Sequence, residues 1–160
     1  MKQLVIIRHA KSSWDNPAVG DFERTLNARG KMSVQIMGDD IKKNLPMPGR
    51  FLVSSARRAH ETAIGLAQII GFSDVEETQG LYLAAVDEML EVIETTVDEI
   101  ETLYVCAHNP GMTNFYNRLA KIPIDNFSTC AIACFEFDTD NWDLRNKHCE
   151  LIYTQTPKGV

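Results

Sequence analysis

Apolar residues follow two alternating patterns along this chain: short unbroken runs and positions spaced three or four apart. Residues 4–7 (LVII) form the first unbroken run, which is typical of a strand buried on both faces. Val34, Met37, Ile41 and Leu45 then recur at helical spacing. Later segments repeat this alternation. The predicted strands cover residues 2–7, 50–54, 74–78 and 101–107, followed by a pair over 129–137 and 144–154 around a turn at 139–141. The predicted helices run from 25–27 to 44, over 55–71, from 86 to 97 and over 112–120.

The alternation of strands with helices predicts a fold of the α/β class. We expect a three-layer α/β/α sandwich with a mainly parallel central sheet, because parallel strands need crossover connections that are usually helical. The chain has 160 residues and no internal repeat or linker-like stretch. This length predicts a single domain over 1–160.

Composition and charge narrow the class of protein further. With 44% hydrophobic and 24% charged residues, the chain has the composition of a soluble globular protein, and its net charge of −6 argues against general binding to nucleic acid. No apolar run approaches the roughly 18 residues of a membrane-spanning helix. The first residues lack the apolar core and cleavage site of a signal peptide, so we expect a cytoplasmic protein without membrane attachment.

The four cysteines are not spaced for metal binding. None belongs to a CxxC pair, so we expect free thiols in a reducing cytoplasm rather than a zinc site. Cys106 stands two residues before His108, and we expect it to be buried in its strand and inert.

Charged or titratable side chains follow three of the predicted strands. Arg8 and His9 follow the first strand, Arg57 and Arg58 follow the second, and His108 follows a later one. Each occurrence alone has an ordinary explanation, such as a surface ion pair or a solvated histidine. However, the carboxyl ends of parallel strands share one edge, so we expect Arg8, His9, Arg58 and His108 to converge. Arginines in the first turn of a helix are also unfavourable unless an anion is bound there.

Two arginines and two histidines around one point form a site for a tetrahedral dianion such as phosphate. Phosphoryl transfer requires positive donors on the phosphoryl oxygens and an in-line nucleophile. An imidazole is a nucleophile only when it is neutral, and nearby arginines favour that form. At an effective dielectric near 20, a unit charge about 4 Å away is worth roughly 4 kcal/mol, which lowers a pKa by up to about 3 units. The arrangement is therefore compatible with a neutral, reactive His9 at pH 7.

Three motifs, in this order and spacing, resemble those of the histidine phosphatase (phosphoglycerate mutase-like) superfamily. Arg8-His9 after a buried strand resembles the RHG motif, Ser54-x-x-x-Arg58-Ala59-x-x-Thr62 resembles the second motif, and residues 108–111 (HNPG) resemble the third. The resemblance extends from the first strand beyond the third motif. It implies the phosphoglycerate mutase-like fold.

The resemblance also implies roles for individual side chains. His9 would be the phosphorylated nucleophile, and Arg58 rather than Arg57 would belong to the site, because Arg58 lies four residues after Ser54 and precedes Ala59. The residues implied to bind the phosphoryl group or the substrate are Arg8, Arg58, His108, Ser12, Lys11 and Asn109. Lys11 has the alternative of being a solvated loop lysine.

Two departures from the family pattern concern the loop after His9 and the general acid. Ala10 replaces the usual glycine, and residues 80–85 contain no carboxylate where many members carry an acidic residue. Asp21 is the candidate acid, since Asp21-x-x-Arg24-x-Leu26-x-x-x-Gly30 is similar to a segment of the compact SixA-type phosphohistidine phosphatases. The alternative is that Asp21 only pairs with Arg24 and orders the loop.

The spacing between the second and third motifs leaves no room for a lid domain, so the site should be open and shallow. An open site suits a phosphorylated side chain on a protein surface. We therefore expect a metal-independent phosphatase without a cofactor, which hydrolyses phosphohistidine on a partner protein and releases inorganic phosphate. The alternatives are a phosphatase for small phosphomonoesters and a non-catalytic phosphate-binding module. A mutase is disfavoured, because it would have to shield its phosphoenzyme from water.

Overall fold

The computed structural model describes residues 1–160, and a six-stranded sheet forms its centre. The strands are β1 (Lys2–Arg8), β2 (Arg50–Ser54), β3 (Val75–Thr78), β4 (Thr102–Ala107), β5 (Ile132–Phe137) and β6 (Cys149–Gln155). The helices are α1 (Ala28–Asn44), α2 (Arg57–Ile70), α3 (Val86–Glu94) and α4 (Gly111–Leu119). In the strand order β3-β2-β4-β1-β5-β6, the first four are mutually parallel and the last two pair antiparallel. The predicted α/β class with a mainly parallel sheet is confirmed.

Each face of the sheet carries its own hydrophobic core. Leu4 and Ile6 of β1 pack in the cluster that contains α3 and α4. Val5 and Ile7 point the other way and pack in the cluster that contains α1 and α2. All four side chains are fully buried. The unbroken apolar run of the sequence therefore reflects a central strand covered on both faces, and the three predicted layers are present.

Local signals set the ends of the first two helices. Asn27 precedes α1, and its side chain accepts a hydrogen bond from the backbone N–H of Gly30 at 2.8 Å. Gly71 ends α2 in the left-handed region, at φ +85°, where a glycine is favoured. Both positions agree with the sequence prediction.

Three predicted boundaries are wrong by three residues or more. Strand β5 begins at Ile132 rather than at Thr129, because residues 129 and 130 form a turn. Helix α3 ends at Glu94, so Val97 lies beyond it and its side chain is 59% exposed rather than part of the buried face. The last strand begins at Cys149 rather than at Leu144, because residues 138–148 form a long connection. Trp142 in that connection is buried and donates from its indole nitrogen to the backbone oxygen of Ile100 at 2.8 Å. None of the helices is both long and apolar enough to cross a lipid bilayer.

Candidate active site

Three neighbouring strands bring the predicted residues to one edge of the sheet. Strands β2, β4 and β1 are adjacent in that order, and Arg8 at the end of β1 lies in register with Ala107 at the end of β4. The imidazole rings that follow these two strands, those of His9 and His108, have centroids 5.1 Å apart. Arg58 enters from the first turn of α2, directly after β2. Its Nε lies 3.4 Å from Nε2 of His9.

The hydrogen bonds of His9 fix which ring nitrogen is free. Nδ1 lies 2.7 Å from the backbone oxygen of Ala10, which can only accept, so Nδ1 carries the proton and donates it. Nε2 therefore keeps its lone pair. Burial, opposed by the bond to Ala10 and assisted by the charges of Arg58 and Arg8, lowers the pKa of His9 to about 4. His9 is consequently a neutral imidazole at pH 7 with Nε2 available as a nucleophile.

His108 is assigned the same tautomer as His9, but it turns its other ring nitrogen to a protein partner. Its Nε2 lies 2.7 Å from Oγ of Ser54, and that hydroxyl already accepts a bond from the backbone N–H of Ala56 at 3.2 Å. Ser54 is fully buried and its hydroxyl has no other acceptor, so we assign the hydroxyl proton to the bond with Nε2 of His108, which leaves the ring proton on Nδ1. Nδ1 is buried without a partner. Burial, the repulsion from His9 when that ring is itself protonated, and the charge of Arg58 lower the pKa of His108 to about 3. At pH 7 the ring of His108 is therefore neutral and presents an unsatisfied N–H donor.

The two arginines of the site differ in which of their N–H groups already donate hydrogen bonds within the protein. The guanidinium of Arg58, whose side chain is 3% exposed, donates to Asp21 through Nη1 to the backbone oxygen at 2.6 Å and through Nη2 to the carboxylate at 3.0 Å. Arg8 donates from Nη1 to the backbone oxygen of Phe127 at 3.1 Å, while its Nε is buried without a partner. Burial lowers the pKa of Arg8. Arg57 points to solvent and pairs with Glu61. The selection of Arg58 over Arg57 from the sequence agrees with this placement.

Asp21 lies within the site but is an ionised group. Its carboxylate accepts hydrogen bonds from Arg58, from Arg24 at 3.1 Å and from the hydroxyl of Tyr82 at 2.6 Å. Burial alone would raise the pKa of Asp21, but the bond from Tyr82 and the charge and bonds of the arginines outweigh it and hold the pKa to about 2. The same bond raises the pKa of Tyr82. Asp21 therefore lacks the proton that a general acid must donate at neutral pH.

Thr62 connects the loop after β1 to α2. Its hydroxyl accepts from the backbone N–H of Ala10 at 3.0 Å and donates to the backbone oxygen of Arg58 at 2.8 Å. Ala10 is fully buried and is not among the residues with positive φ, so its backbone does not require the glycine that the family usually carries there. The hydroxyl of Thr62 thus fixes the nucleophile loop relative to Arg58.

Three residues that were predicted to contact the substrate, Ser12, Lys11 and Asn109, have other partners or none. Oγ of Ser12 accepts from Nη1 of Arg24 at 2.5 Å, and Lys11 is exposed without a side-chain hydrogen bond. The amide of Asn109 is engaged by Thr113 and by Asn126. None of these three side chains makes a hydrogen bond to His9 or His108.

Sequence reasoning missed two contributors to this site. The role of Ser54 in setting the tautomer of His108 was not predicted, although Ser54 belongs to the second motif. Tyr82 was also missed, although it stands in the segment over 80–85 that was searched only for a carboxylate. No group of three or more His, Cys, Asp or Glu side chains is placed to hold a metal ion.

Comparison with known proteins gives relatives in bacteria and plants. No protein-family model matches the chain. The uncharacterised protein Rv1276c of Mycobacterium tuberculosis is 33% identical over 116 residues, which are 72% of this chain and 71% of that protein. The uncharacterised chloroplastic protein At3g52155 of Arabidopsis thaliana is 28% identical over 152 residues, which are 89% of this chain and 69% of that protein.

Solved structures share the whole fold at lower identity. A proposed phosphohistidine phosphatase SixA of Nakamurella multipartitia superposes with a TM-score of 0.85 at 24% identity, covering 98% of this chain and 96% of that one. The protein histidine phosphatase SixA in complex with tungstate gives 0.82 at 22% identity, covering 98% and 97%. Mycobacterial glucosyl-3-phosphoglycerate phosphatase gives 0.67 at 14% identity, covering 94% and 97%. The chain therefore belongs to the same family as Rv1276c, and its fold is that of the histidine phosphatase (phosphoglycerate mutase-like) superfamily in its compact, SixA-like form.

Proposed function

We propose that this protein is a phosphatase that hydrolyses phosphohistidine on a partner protein through a covalent phosphohistidine at His9. The observation that carries the proposal is a pair of buried imidazoles, both assigned the proton on Nδ1, that leave different ring nitrogens without a backbone or hydroxyl partner. One presents a lone pair on Nε2 beside the guanidinium of Arg58, and the other presents a buried N–H without a partner. A bound phosphoryl group supplies what both lack, an electrophile for His9 and an acceptor for His108.

The first step transfers the phosphoryl group to His9. Nε2 attacks phosphorus, and the bond from phosphorus to the leaving nitrogen breaks. The phosphoryl oxygens accept from Arg58, from Nδ1 of His108 and from the free Nε of Arg8, so negative charge meets donors already in place. A phosphorylated imidazole that is protonated on its other nitrogen leaves as a neutral ring, and this substrate therefore needs no strong acid from the protein.

The second step is hydrolysis of the phosphoenzyme. Because the proton of Nδ1 stays on His9, held by the oxygen of Ala10, the phosphorylated ring is an imidazolium. Water attacks phosphorus, the bond to Nε2 breaks, and the ring returns to its neutral form. Dihydrogen phosphate leaves and passes its extra proton to solvent. The bond to Ala10 thus makes His9 a good leaving group as well as a nucleophile.

Asp21 has two candidate roles in this scheme, general acid and positioning of Arg58. The low pKa of Asp21 and its ion pair with Arg58 favour the positioning role.

The surface beside Asp21 supports a macromolecular substrate. The ring of Trp14 lies over the guanidinium of Arg24 at 3.5 Å, and its side chain is 74% exposed, which leaves an aromatic surface beside the site. The four unpaired cysteines support a cytoplasmic setting.

Phosphate release in EDTA tests the proposal. The two substrates are a phosphohistidine-bearing protein and p-nitrophenyl phosphate. Wild type is compared with His9→Ala and with the control His148→Ala, which removes an exposed histidine directly before β6. We expect activity that survives EDTA and is lost only in His9→Ala, with an acid-labile phosphoenzyme in wild type. Release unchanged in His9→Ala would exclude the mechanism. A strong preference for p-nitrophenyl phosphate would favour the small-ester alternative, and phosphate binding without turnover of either substrate would favour the binding module.

A further inference from the structure

A second polar cavity lies next to the candidate active site. It has a volume of about 360 Å³ and is lined by the first half of α1, the segment before β5 and the segment after β6. Lys11 lies on its wall two residues after the nucleophile. Thr129 also lines the cavity, directly before Cys130, whose backbone N–H donates to the backbone oxygens of Arg8 and His9. The cavity and the phosphate site therefore share one stretch of backbone.

The cavity carries unopposed positive charge. Lys11, Arg29 and Lys158 line it, no Asp or Glu does, and none of the three cations takes part in an ion pair. This is a local exception in a chain with a net charge of −6. Arg29 is also the second residue of α1, where a cation opposes the positive end of the helix dipole. An anion in the cavity would relieve both conflicts.

Hydroxyl groups complete the lining. The side chains of Ser33, Ser128 and Thr129 reach the cavity and make no hydrogen bond within the protein, so they are free to donate to an anionic oxygen. Two apolar side chains of α1, Met32 and Ile36, form the remainder of that wall and suit the methylene stem of a side chain.

Sheet register gives the distance from the phosphate site. Gln155 at the end of β6 pairs with Ile132, which pairs with Ile7 of β1, so β6 ends at the same edge as the nucleophile strand. Two strand spacings separate β1 from β6, which is roughly 10 Å. An extended peptide covers that distance in about three residues.

We propose that this cavity binds an acidic side chain of the substrate protein, about three residues from the phosphorylated histidine. The inference rests on the proposed function and adds to it a sequence preference for acidic flanks. The anion is a carboxylate presented by a peptide, held by Arg29 and Lys158 and by the free hydroxyls.

Two phosphohistidine peptides that differ only in Glu or Gln three residues from the modified histidine test the proposal. We expect wild type to favour the Glu peptide roughly three- to tenfold in kcat/KM at low salt, the range of one or two exposed ion pairs. The double variant Arg29→Ala, Lys158→Ala should lose this preference and keep its rate on the Gln peptide and on p-nitrophenyl phosphate. Lys42→Ala, Lys43→Ala is the matched control, because it removes two exposed cations at the opposite end of α1.

The other outcomes distinguish failure of this inference from failure of the proposed function. Equal rates on the two peptides in wild type, or a preference retained in the cavity variant, would overturn this inference and leave the proposed function standing. Turnover of p-nitrophenyl phosphate without turnover of either peptide would overturn the protein substrate and this inference with it. A preference for a small bisphosphate, lost in the cavity variant, would assign the cavity to a second phosphate instead.

Discussion

Ser54 and His108 are joined by a hydrogen bond of 2.7 Å, in which we assign the serine hydroxyl as the donor to Nε2 of the histidine. Replacing Ser54 by Ala leaves Nε2 of His108 and the backbone N–H of Ala56 without this partner in a buried region. We expect Ser54→Ala to lower the free energy of unfolding by about 1–3 kcal/mol and to reduce kcat about tenfold or more, because the ring is no longer held in the donor tautomer.

The neighbouring serine provides the control for this prediction. Oγ of Ser55 is buried without a hydrogen-bond partner, so Ser55→Ala should leave activity and urea unfolding within about 0.5 kcal/mol of wild type. Nitrogen NMR shifts of His108 report the tautomer directly. Unchanged shifts and activity in Ser54→Ala would contradict the assigned proton position.

Asp21→Asn separates the two roles of that carboxylate. If Asp21 positions Arg58, the variant should lose a similar factor, about tenfold, on phenyl and p-nitrophenyl phosphate, because a charge-assisted bond is weakened for every substrate. If Asp21 is a general acid, the loss should be far greater for phenyl phosphate, whose leaving group is the stronger base. Steady-state rates on both esters, with Glu23→Gln as the control for a nearby exposed acid, decide between them. We expect the uniform loss.

The lowered pKa values of His9 and His108 predict a pH dependence of stability. Both rings stay neutral in the folded protein to about pH 4 and about pH 3, whereas in the unfolded chain they bind protons near 6.5. The unfolded state therefore binds more protons below pH 6.5. Burial of the two neutral rings therefore costs no stability above pH 6.5. Below that pH the free energy of unfolding decreases, and it continues to decrease as the pH falls toward 4.

Urea unfolding between pH 7 and 4 measures this effect. We expect the loss of unfolding free energy over that range to be smaller in His108→Asn than in wild type. Histidine NMR resonances assigned by His9→Ala and His108→Asn should show no titration above pH 5. A midpoint near 6.5 for either ring would contradict the burial-driven shift.

Gly30→Ala should disturb the nucleophile loop from outside the site. A Cβ at Gly30 would lie 2.1 Å from the backbone oxygen of Lys11, and backbone cannot move aside as a flexible side chain does. We expect a loss of roughly 1–3 kcal/mol in unfolding free energy together with reduced kcat. Gly20→Ala is the matched control, since nothing lies within 4 Å of a Cβ there. Equal melting temperatures for the two variants would refute the close approach.

The sequence could predict most of the fold because its signals are local. The apolar run over 4–7, the cap at Asn27 and the stop at Gly71 each act within a few residues of the structure that they determine. The last strand was less predictable, because β6 lies at the sheet edge and its side chains are largely exposed, including Ile152 at 46%. An edge strand does not need the apolar alternation that marks a buried one.

The candidate site was predictable to the extent that topology determines it. Parallel strand ends must meet, so the neighbourhood of His9, Arg58 and His108 followed from the order of strands and helices. The contact between Tyr82 and Asp21 did not follow, because 61 residues separate them and each belongs to or borders a single 3-10 turn outside the main helices and strands. The basic cavity was also not predicted, since its lining comes from three distant segments, each of which alone is an ordinary polar surface.

The ion pair between Arg58 and Asp21 affects how strongly the protein binds its product. An incoming phosphoryl group meets a guanidinium whose charge is already partly balanced by an internal carboxylate, with N–H groups left over for the phosphoryl oxygens. The net free energy of binding is therefore smaller than that at an unpaired arginine. Product inhibition should accordingly be weak, because the carboxylate stays in place throughout the cycle and repels inorganic phosphate.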